Sequence, residues 1–425
     1  MITGHSLRLA REQRGVGLDR LAALIGRTKG HLSQVERGVN GRGVTPALVR
    51  AYEEALGVQV EATPIGGSFP ETMKSVSNNL GRERTIPRQH GNAATSVEDA
   101  AARAMDFAVW AEATNVGVTT LERLETETRR LAKDYLTRPP IEVFAHTSKL
   151  TRTAFDLIQG GHQHLNQTRD LYVAGGWLSA LLSWISGDLG QPAAAAEHAR
   201  AALICADQVG HATLRAWALS VASKAAYWDG DYTTAADHAR EGQKSGANGT
   251  ALVFLACQEA DALKETRRTS EAVDALNRAR SFRDKVDSTD DVGGLFSCGH
   301  ARQANYEIGV RLAAKEPTEA LKAAKHAEEA YKSGEQWAYG TWAQIQFGVA
   351  LARIQRDNID GANEVLEGVF EMSPEHRLDT LVQRSGEVAR ALREPRREAS
   401  RDARALVDRI REFQDSRVTI RELPQ

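Results

Sequence analysis

The sequence predicts an all-α protein in which a small helical bundle is joined by a linker to a stack of helical repeats. Three observations carry this. Apolar residues recur at three- and four-residue intervals along most of the chain, the spacing of helices with one buried face. From residue 97 onward the composition shifts to alanine, leucine and charged residues with few prolines, a mixture that favours helix. Small residues then recur in pairs seven positions apart, at intervals of 40, 37, 48 and 42 residues, and periods of that size mark stacked helical units. With 425 residues, 42% hydrophobic and 26% charged, the chain has the composition of an ordinary globular protein and the length for about two or three structural units.

The first element is a basic head. Residues 1 to 60 hold nine Lys and Arg against five Asp and Glu, an excess of +4, so the remaining 365 residues sum to −6 within a net charge of −2. A basic head on a mildly acidic body suits a polyanionic partner. Leu7, Ala10, Leu21, Ala22, Leu24, Ile25, Leu32, Val35, Leu48, Ala51, Tyr52, Ala55 and Leu56 mark four short helices. Breaks fall at Gly15 and Gly17, at Gly26, and at the run from Gly38 to Gly43. Thr28 stands where the third helix needs an N-cap.

The words LRLAREQRG, LDRLAALIGRTKGHLSQVERG and TPALVRAYEEALGV resemble the helix-turn-helix of the phage-repressor-like family often called XRE, over residues 6 to 58. Leu21-Ala22, Gly26 and the run Leu32-Ser33-Gln34-Val35-Glu36-Arg37-Gly38 carry the resemblance. It implies a DNA-binding domain over 1–58 whose recognition helix, from about Thr28 to Arg37, enters the major groove. By the same resemblance Lys29, Ser33 and Gln34 contact bases, while Gly30 faces DNA without reading it. Gln34 can pair bidentately with adenine and Lys29 can donate to guanine, each worth roughly 1 to 3 kcal/mol of discrimination. Arg27, Thr28, His31, Arg37 and Arg42 are implied to grip phosphates, which positions the protein without specifying sequence. Arg11 and Glu36 are implied to form a structural ion pair.

Two departures stand out. Gly17 and Leu18 replace the Ser or Thr followed by Gln that the family commonly has at the start of its second helix. No fifth helix is evident after Val58, so dimerisation, where related repressors use that region, moves elsewhere. A helical interaction module that no longer binds DNA is the alternative these departures leave open.

Residues 59–96 read as a flexible linker. Thr63-Pro64, Gly66-Gly67-Ser68, Phe69-Pro70, Asn78-Asn79, Gly81 and Pro87 punctuate a stretch without apolar periodicity. A tether of this length has an rms span of roughly 30 to 40 Å. Helix resumes near Ser96, where Ser-Val-Glu-Asp offers a cap.

Residues 97–425 form the repeat body. The word Gly230-Asp231-Tyr232-Thr233-Thr234-Ala235 resembles the turn of tetratricopeptide (TPR) repeats, with Gly242 as the second small residue. Ala195 with Ala202, Ala272 with Ala279, Ala320 with Ala327 and Ala362 with Val369 repeat the pattern, because two helices approach closely only where side chains are small. Helices at Thr119 to Thr137 and Ile141 to Ile158 precede the stack, and helices at Glu375 to Glu394 and Arg396 to Asp415 follow it. Head and body together resemble the large helix-turn-helix plus TPR regulators of actinobacteria, in LAKDYLTRPP, TRDLYVAGG, CADQVGHATLRAW and ARALREP. In architecture alone they are also similar to the peptide-sensing regulators of Gram-positive bacteria.

TPR stacks display their first helices on the concave side. Counting back from the repeat alanines places Trp217, Ser220, Lys224, Tyr227, Phe254, Asp261, Lys264, Arg302, Asn305 and Gln344 in a ligand groove. Lys224, Arg302 and Asn305 can hold a carboxylate or a peptide backbone, or can simply be solvated. Trp177 and Trp184, seven apart in an apolar segment, read as helix packing.

Other chemistries lack their residues. No run approaches the roughly 18 to 20 apolar residues that span a bilayer, and MITGHSLRLAREQRG lacks a signal core, so the expected location is cytoplasmic and nucleoid-associated, with no membrane partner. Cys205, Cys257 and Cys298 lie too far apart in sequence for a zinc or redox motif and read as buried free thiols. His162 and His164 have no acid at metal-ligand spacing, and Asp290-Asp291 lies in a long inter-repeat loop without a third oxygen donor. Neither G-x-S-x-G nor GxxxxGK[ST] occurs. The expectation is therefore no cofactor, no metal and no enzyme activity. It is instead a homodimeric transcriptional regulator that binds double-stranded DNA in a sequence-specific way and whose body senses a peptide or small metabolite. The alternative is a TPR adaptor for a partner protein with a weak DNA-binding head.

Overall fold

The computed structural model describes the chain except for residues 1–3, 15, 37–43, 59–99, 106, 109–110, 112–113, 399 and 417–425. The chain divides into two compact units, 1–95 and 96–425. Among the described residues the regular secondary structure is helical, with one isolated bridge between Gly293 and Phe296.

In the head, α1 (Gly4–Gln13), α2 (Leu18–Leu24), α3 (Lys29–Glu36) and α4 (Pro46–Leu56) surround a core of Leu7, Leu21, Leu32, Val35 and Tyr52. The turn between α2 and α3 passes through Gly26 at φ +65°, a conformation that costs a side-chain-bearing residue energy. Thr45 caps α4 by accepting from the Leu48 N–H, Pro46 occupies its first turn, and Gly57 ends it in the left-handed region.

The body opens with α5 (Val118–Asp134) and α6 (Pro140–Gly160). Five antiparallel pairs follow: α7 (Leu165–Asp188) with α8 (Pro192–Val209), α9 (Ala212–Trp228) with α10 (Tyr232–Gly242), α11 (Ala251–Glu265) with α12 (Thr269–Arg283), α13 (His300–Ala313) with α14 (Pro317–Lys332), and α15 (Tyr339–Gln355) with α16 (Ile359–Phe370). The chain ends in α17 (Asp379–Leu392), the short α18 (Pro395–Glu398) and α19 (Arg401–Asp415). This is a TPR-like solenoid.

The repeat alanines explain the stacking. Ala195, Ala202, Ala235, Ala272, Ala279, Ala320, Ala327 and Ala362 are all buried on the second helices, as are Gly242 and Val369 at the remaining two sites. A Cβ added at Gly242 would come within 2.7 Å of both Leu255 methyl carbons. Two successive pairs share one further device: Ser183 and Ser223, on the first helices, donate to the carbonyls of Ala195 and Ala235, each at 2.8 Å.

The flanking helices differ in detail from the sequence reading. The one expected from Glu375 starts at Asp379, after a 3₁₀ turn at Pro374–His376. The one expected from Arg396 is split, because the Ser400 hydroxyl accepts from the Ala403 N–H at 3.4 Å and starts a new helix there. The cap expected at Ser96 lies outside the described residues, and residues 100–105 are helical.

First helices α7, α9, α11, α13, α15 and α17 each contact the next in the row, and α17 also contacts α7. The inner row therefore closes on itself. Thr380, in the first turn of α17, donates to Asp188 at the end of α7 at 3.0 Å. The Tyr339 N–H donates to the Leu136 carbonyl at 3.2 Å, and His376 bonds the Thr137 carbonyl at 3.2 Å.

Candidate functional site

The head presents the amino-terminal turn of α3. The Thr28 hydroxyl accepts from the His31 N–H at 3.2 Å, so it caps the helix and satisfies one of its orphan donors. Arg27, Thr28, Lys29 and Gly30 are exposed there, and His31 and Ser33 are half-buried. Lys29 Nζ lies 2.9 Å from Asp19 Oδ2 of α2, in a pair exposed on both sides. Gln34 lies within α3 and is described by its backbone, and Arg37 and Arg42 lie outside the described residues.

The pose of α3 is set from behind. Arg11 donates to both oxygens of Glu36 at 2.8 Å and to the Val16 carbonyl at 3.1 Å. The Tyr52 hydroxyl donates to Glu36 Oε1 at 3.0 Å. Glu36 is 7% exposed, so its charge is balanced by a bidentate arginine and by a tyrosine of α4. Burial, with the neighbouring Glu36 charge, pushes the Tyr52 phenol far above its ordinary value, so it acts as a donor at any physiological pH.

In the body, the closed inner row lines a partly open cavity of about 80 Å³. Its walls bring together Lys224, Tyr227, Asp261, Arg302, Asn305 and Gln344 of the groove residues read from sequence. Lys264 lines an adjoining groove of about 580 Å³ that shares Asn305, Gln344 and Arg384 with the cavity. Trp217, Ser220 and Phe254 are instead core residues, each 1% exposed or less. The Trp217 ring packs 5.3 Å from Phe254 and 5.6 Å from Phe296, while the Ser220 carbonyl accepts from Gln258 at 3.0 Å. Trp177 is packed against Phe296, but Trp184, read as packing, also lines the cavity.

Asp188 organises one wall. It accepts from Lys224 at 2.7 Å, from Thr380 at 3.0 Å and from the Tyr135 hydroxyl. Lys224 also donates to the Trp184 carbonyl at 3.1 Å and sits 4.1 Å from the centre of that ring. Burial lowers the Lys224 pKa, against the pull of Asp188. A second cluster has the opposite balance. Lys264 lies 2.8 Å from Asp261 and 3.0 Å from the Tyr227 hydroxyl, and contacts Glu265. Burial opposes its charge, but Asp261, Tyr227 and Glu265 together raise its pKa well above the ordinary value.

Arg302 is held differently. Its Nη1 donates to the carbonyls of Leu295 at 2.6 Å and Ser297 at 2.8 Å, and the guanidinium lies over the rings of Phe254 at 4.2 Å and Trp184 at 4.7 Å. Arg384, on the far wall, is matched by Glu387, whose two oxygens are each 3.0 Å from Nη1.

Sequence reasoning missed Asp188, Tyr135, Gln258, Tyr339 and Arg384 in these walls. The repeat count gave the first helices of the row but not which of their residues face the cavity. It gave no sign of the helix ends and flanking helices that closure brings in.

The Asp290 loop is structural: Asp290 accepts from the Thr250 N–H at 2.7 Å and from its hydroxyl, fixing the start of α11. The three cysteines are buried, and burial pushes the Cys205 thiol up to about 11. Among the described residues no cluster of His, Cys, Asp or Glu is placed to hold a metal ion, and no helix is long and apolar enough to cross a membrane.

No family model matches the chain, and no curated protein matches it. A solved structure similar to it is that of Bacillus thuringiensis PlcR in complex with the peptide PapR7 and DNA, at 11% identity and a TM-score of 0.34, over 78% of this chain and 94% of that one. So distant a likeness carries no function across.

Proposed function

We propose that the protein is a sequence-specific DNA-binding transcriptional regulator, with residues 1–58 as the DNA-binding head, 59–96 as a tether and 97–425 as a sensory and dimerising body. The observation that carries this reading is the exposed amino-terminal turn of α3, with Arg27, Thr28 and Lys29 presented together while Glu36 is anchored behind them. A helix with a cap and two cations at its exposed amino end is suited to phosphates and to the major groove.

In this reading Lys29, Ser33 and Gln34 read bases, and Arg27, Thr28, His31, Arg37 and Arg42 hold the backbone. Lys29 must exchange Asp19 for DNA. The pair is 63% and 74% exposed, and exposed pairs are worth at most about 1 kcal/mol, so the exchange costs less than one good base contact returns.

The body then links two heads. A ligand bound there changes DNA affinity only by favouring one arrangement over another. Selecting genomic fragments with the full-length protein, beside a Lys29→Ala/Gln34→Ala control, tests the reading. A shared and roughly palindromic motif that the control loses is the expected result. Fragments without a motif, recovered equally by both proteins, would support an adaptor with a sequence-blind head. Light scattering checks the dimer separately, and a monomeric mass with and without the selected DNA would remove it.

A further inference from the structure

Among the described residues, one cation of the cavity inside the closed inner row has no acidic partner. Lys224 faces Asp188, Lys264 faces Asp261 and Glu265, and Arg384 faces Glu387. Among the described residues no carboxylate pairs with Arg302. Two loop carbonyls take its Nη1, and the faces of Trp184 and Phe254 fix its plane, so its Nε and Nη2 donors remain for a guest. Those two donors form the edge of a guanidinium that matches a carboxylate bidentately.

Two further atoms point to a guest. Gln258 is 5% exposed, and its amide nitrogen must face the Ser220 carbonyl, which can only accept. Its Oε1 is thereby turned away and has no hydrogen-bond partner among the described residues. Tyr339, also 5% exposed, has a hydroxyl with no partner among the described residues, and both residues line the same cavity as Arg302. Leaving such groups unpaired costs about 1 to 3 kcal/mol each, and both atoms are closed to water in the free protein, so a ligand recovers that cost when the two side chains turn to meet it.

We propose that this cavity binds a small monocarboxylic acid that also carries a hydrogen-bond donor, a 2-amino or 2-hydroxy acid, with its carboxylate on Arg302 and its donor on Gln258. The Tyr339 hydroxyl supplies a further contact. The cavity itself holds about five to eight water-sized groups, the size of a small 2-amino or 2-hydroxy acid. The single unpaired cation limits it to one net carboxylate. The proposal deepens the sensory role given to the body, and it does not depend on what the head binds.

The test is thermal melting of the full-length protein without DNA, against glycine, alanine, serine, glycolate and lactate, each beside its carboxamide. Because no DNA is present, failure here leaves the DNA reading untouched, and failure of the fragment selection leaves this proposal untouched. At least one acid is expected to raise the melting temperature in a saturable way, and its amide is not. Arg302→Gln should abolish the shift. Since Arg302 also holds the 295–297 loop, Tyr339→Phe is the second variant. It removes a hydroxyl that has no partner in the free protein, so the ligand-free melting temperature should be unchanged or higher, while affinity should fall about two- to tenfold. No shift with any acid, equal shifts with the amides, or wild-type affinity in Tyr339→Phe would overturn the proposal.

Discussion

Thr380 donates to the carboxylate of Asp188 at 3.0 Å across 192 positions of sequence, joining the last inner helix of the stack to the first. A solenoid stack ordinarily has two free ends, and each repeat contacts only its neighbours. Here Asp188, Thr380, Lys224 and Tyr135 form one buried knot at the point of closure, and the cavity lies beside it.

Opening the knot should have graded costs. Thr380→Val removes one hydrogen bond to a charged group and should destabilise the body by about 1.5 to 3 kcal/mol. Asp188→Asn leaves the Lys224 ammonium buried without its counter-charge and should cost more, about 3 to 5 kcal/mol. Denaturant unfolding of the body checks the order, and faster amide exchange at the start of α17 checks the place.

Gly294 should resist substitution. Its φ is +59°, and an added Cβ would lie 2.6 Å from the Ala132 carbonyl oxygen, which is backbone and cannot swing away. The same carbonyl accepts from the Leu295 N–H at 2.9 Å, so this contact docks the loop that holds Arg302. Gly294→Ala is expected to destabilise the body by about 1 to 3 kcal/mol and to increase proteolysis within residues 284–299.

Acid should weaken the contact between α10, α11 and α12. Glu259 is buried, which by itself raises a carboxyl pKa, but Gln243 at 2.9 Å, Arg278 at 2.6 Å and Arg240 at 2.7 Å outweigh burial and hold it below the ordinary value. A depressed folded-state pKa contributes stability above the unfolded value, and that contribution is lost as pH falls through the folded one. Melting temperature should therefore decline below about pH 4.5. Glu259→Gln should lower stability at neutral pH and flatten that decline.

In the head, Arg11→Met should leave Glu36 buried with Tyr52 as its remaining partner among the described residues, at a cost of about 3 to 5 kcal/mol. Hydrogen exchange of the full-length chain should show faster exchange in α1 to α4 and unchanged protection in the body. Slow exchange retained in the head would show that the pair is dispensable.

Much of this architecture was legible in the sequence because it rests on local rules. The repeat alanines are readable since close helix packing demands small side chains, and Thr28 is readable since an N-cap is a local device. Which side of an inner helix faces the cavity is not local. Trp217 and Phe254 lie on first helices as the count required, but their rings turn into the core, while Trp184 does both jobs. Asp188 was invisible as a wall residue because its role depends on Thr380, and closure of the row is a property of the accumulated rotation between repeats that no single repeat encodes.

The most direct test of the central claim is competition binding. Full-length protein would be titrated, at near-physiological salt, against its best selected fragment and against the same fragment scrambled. A regulator should prefer the selected fragment by about 10³-fold or more, and Lys29→Ala/Gln34→Ala should erase most of that preference. Equal affinity for both fragments, with the same steep salt dependence, would show purely electrostatic binding and would contradict the account.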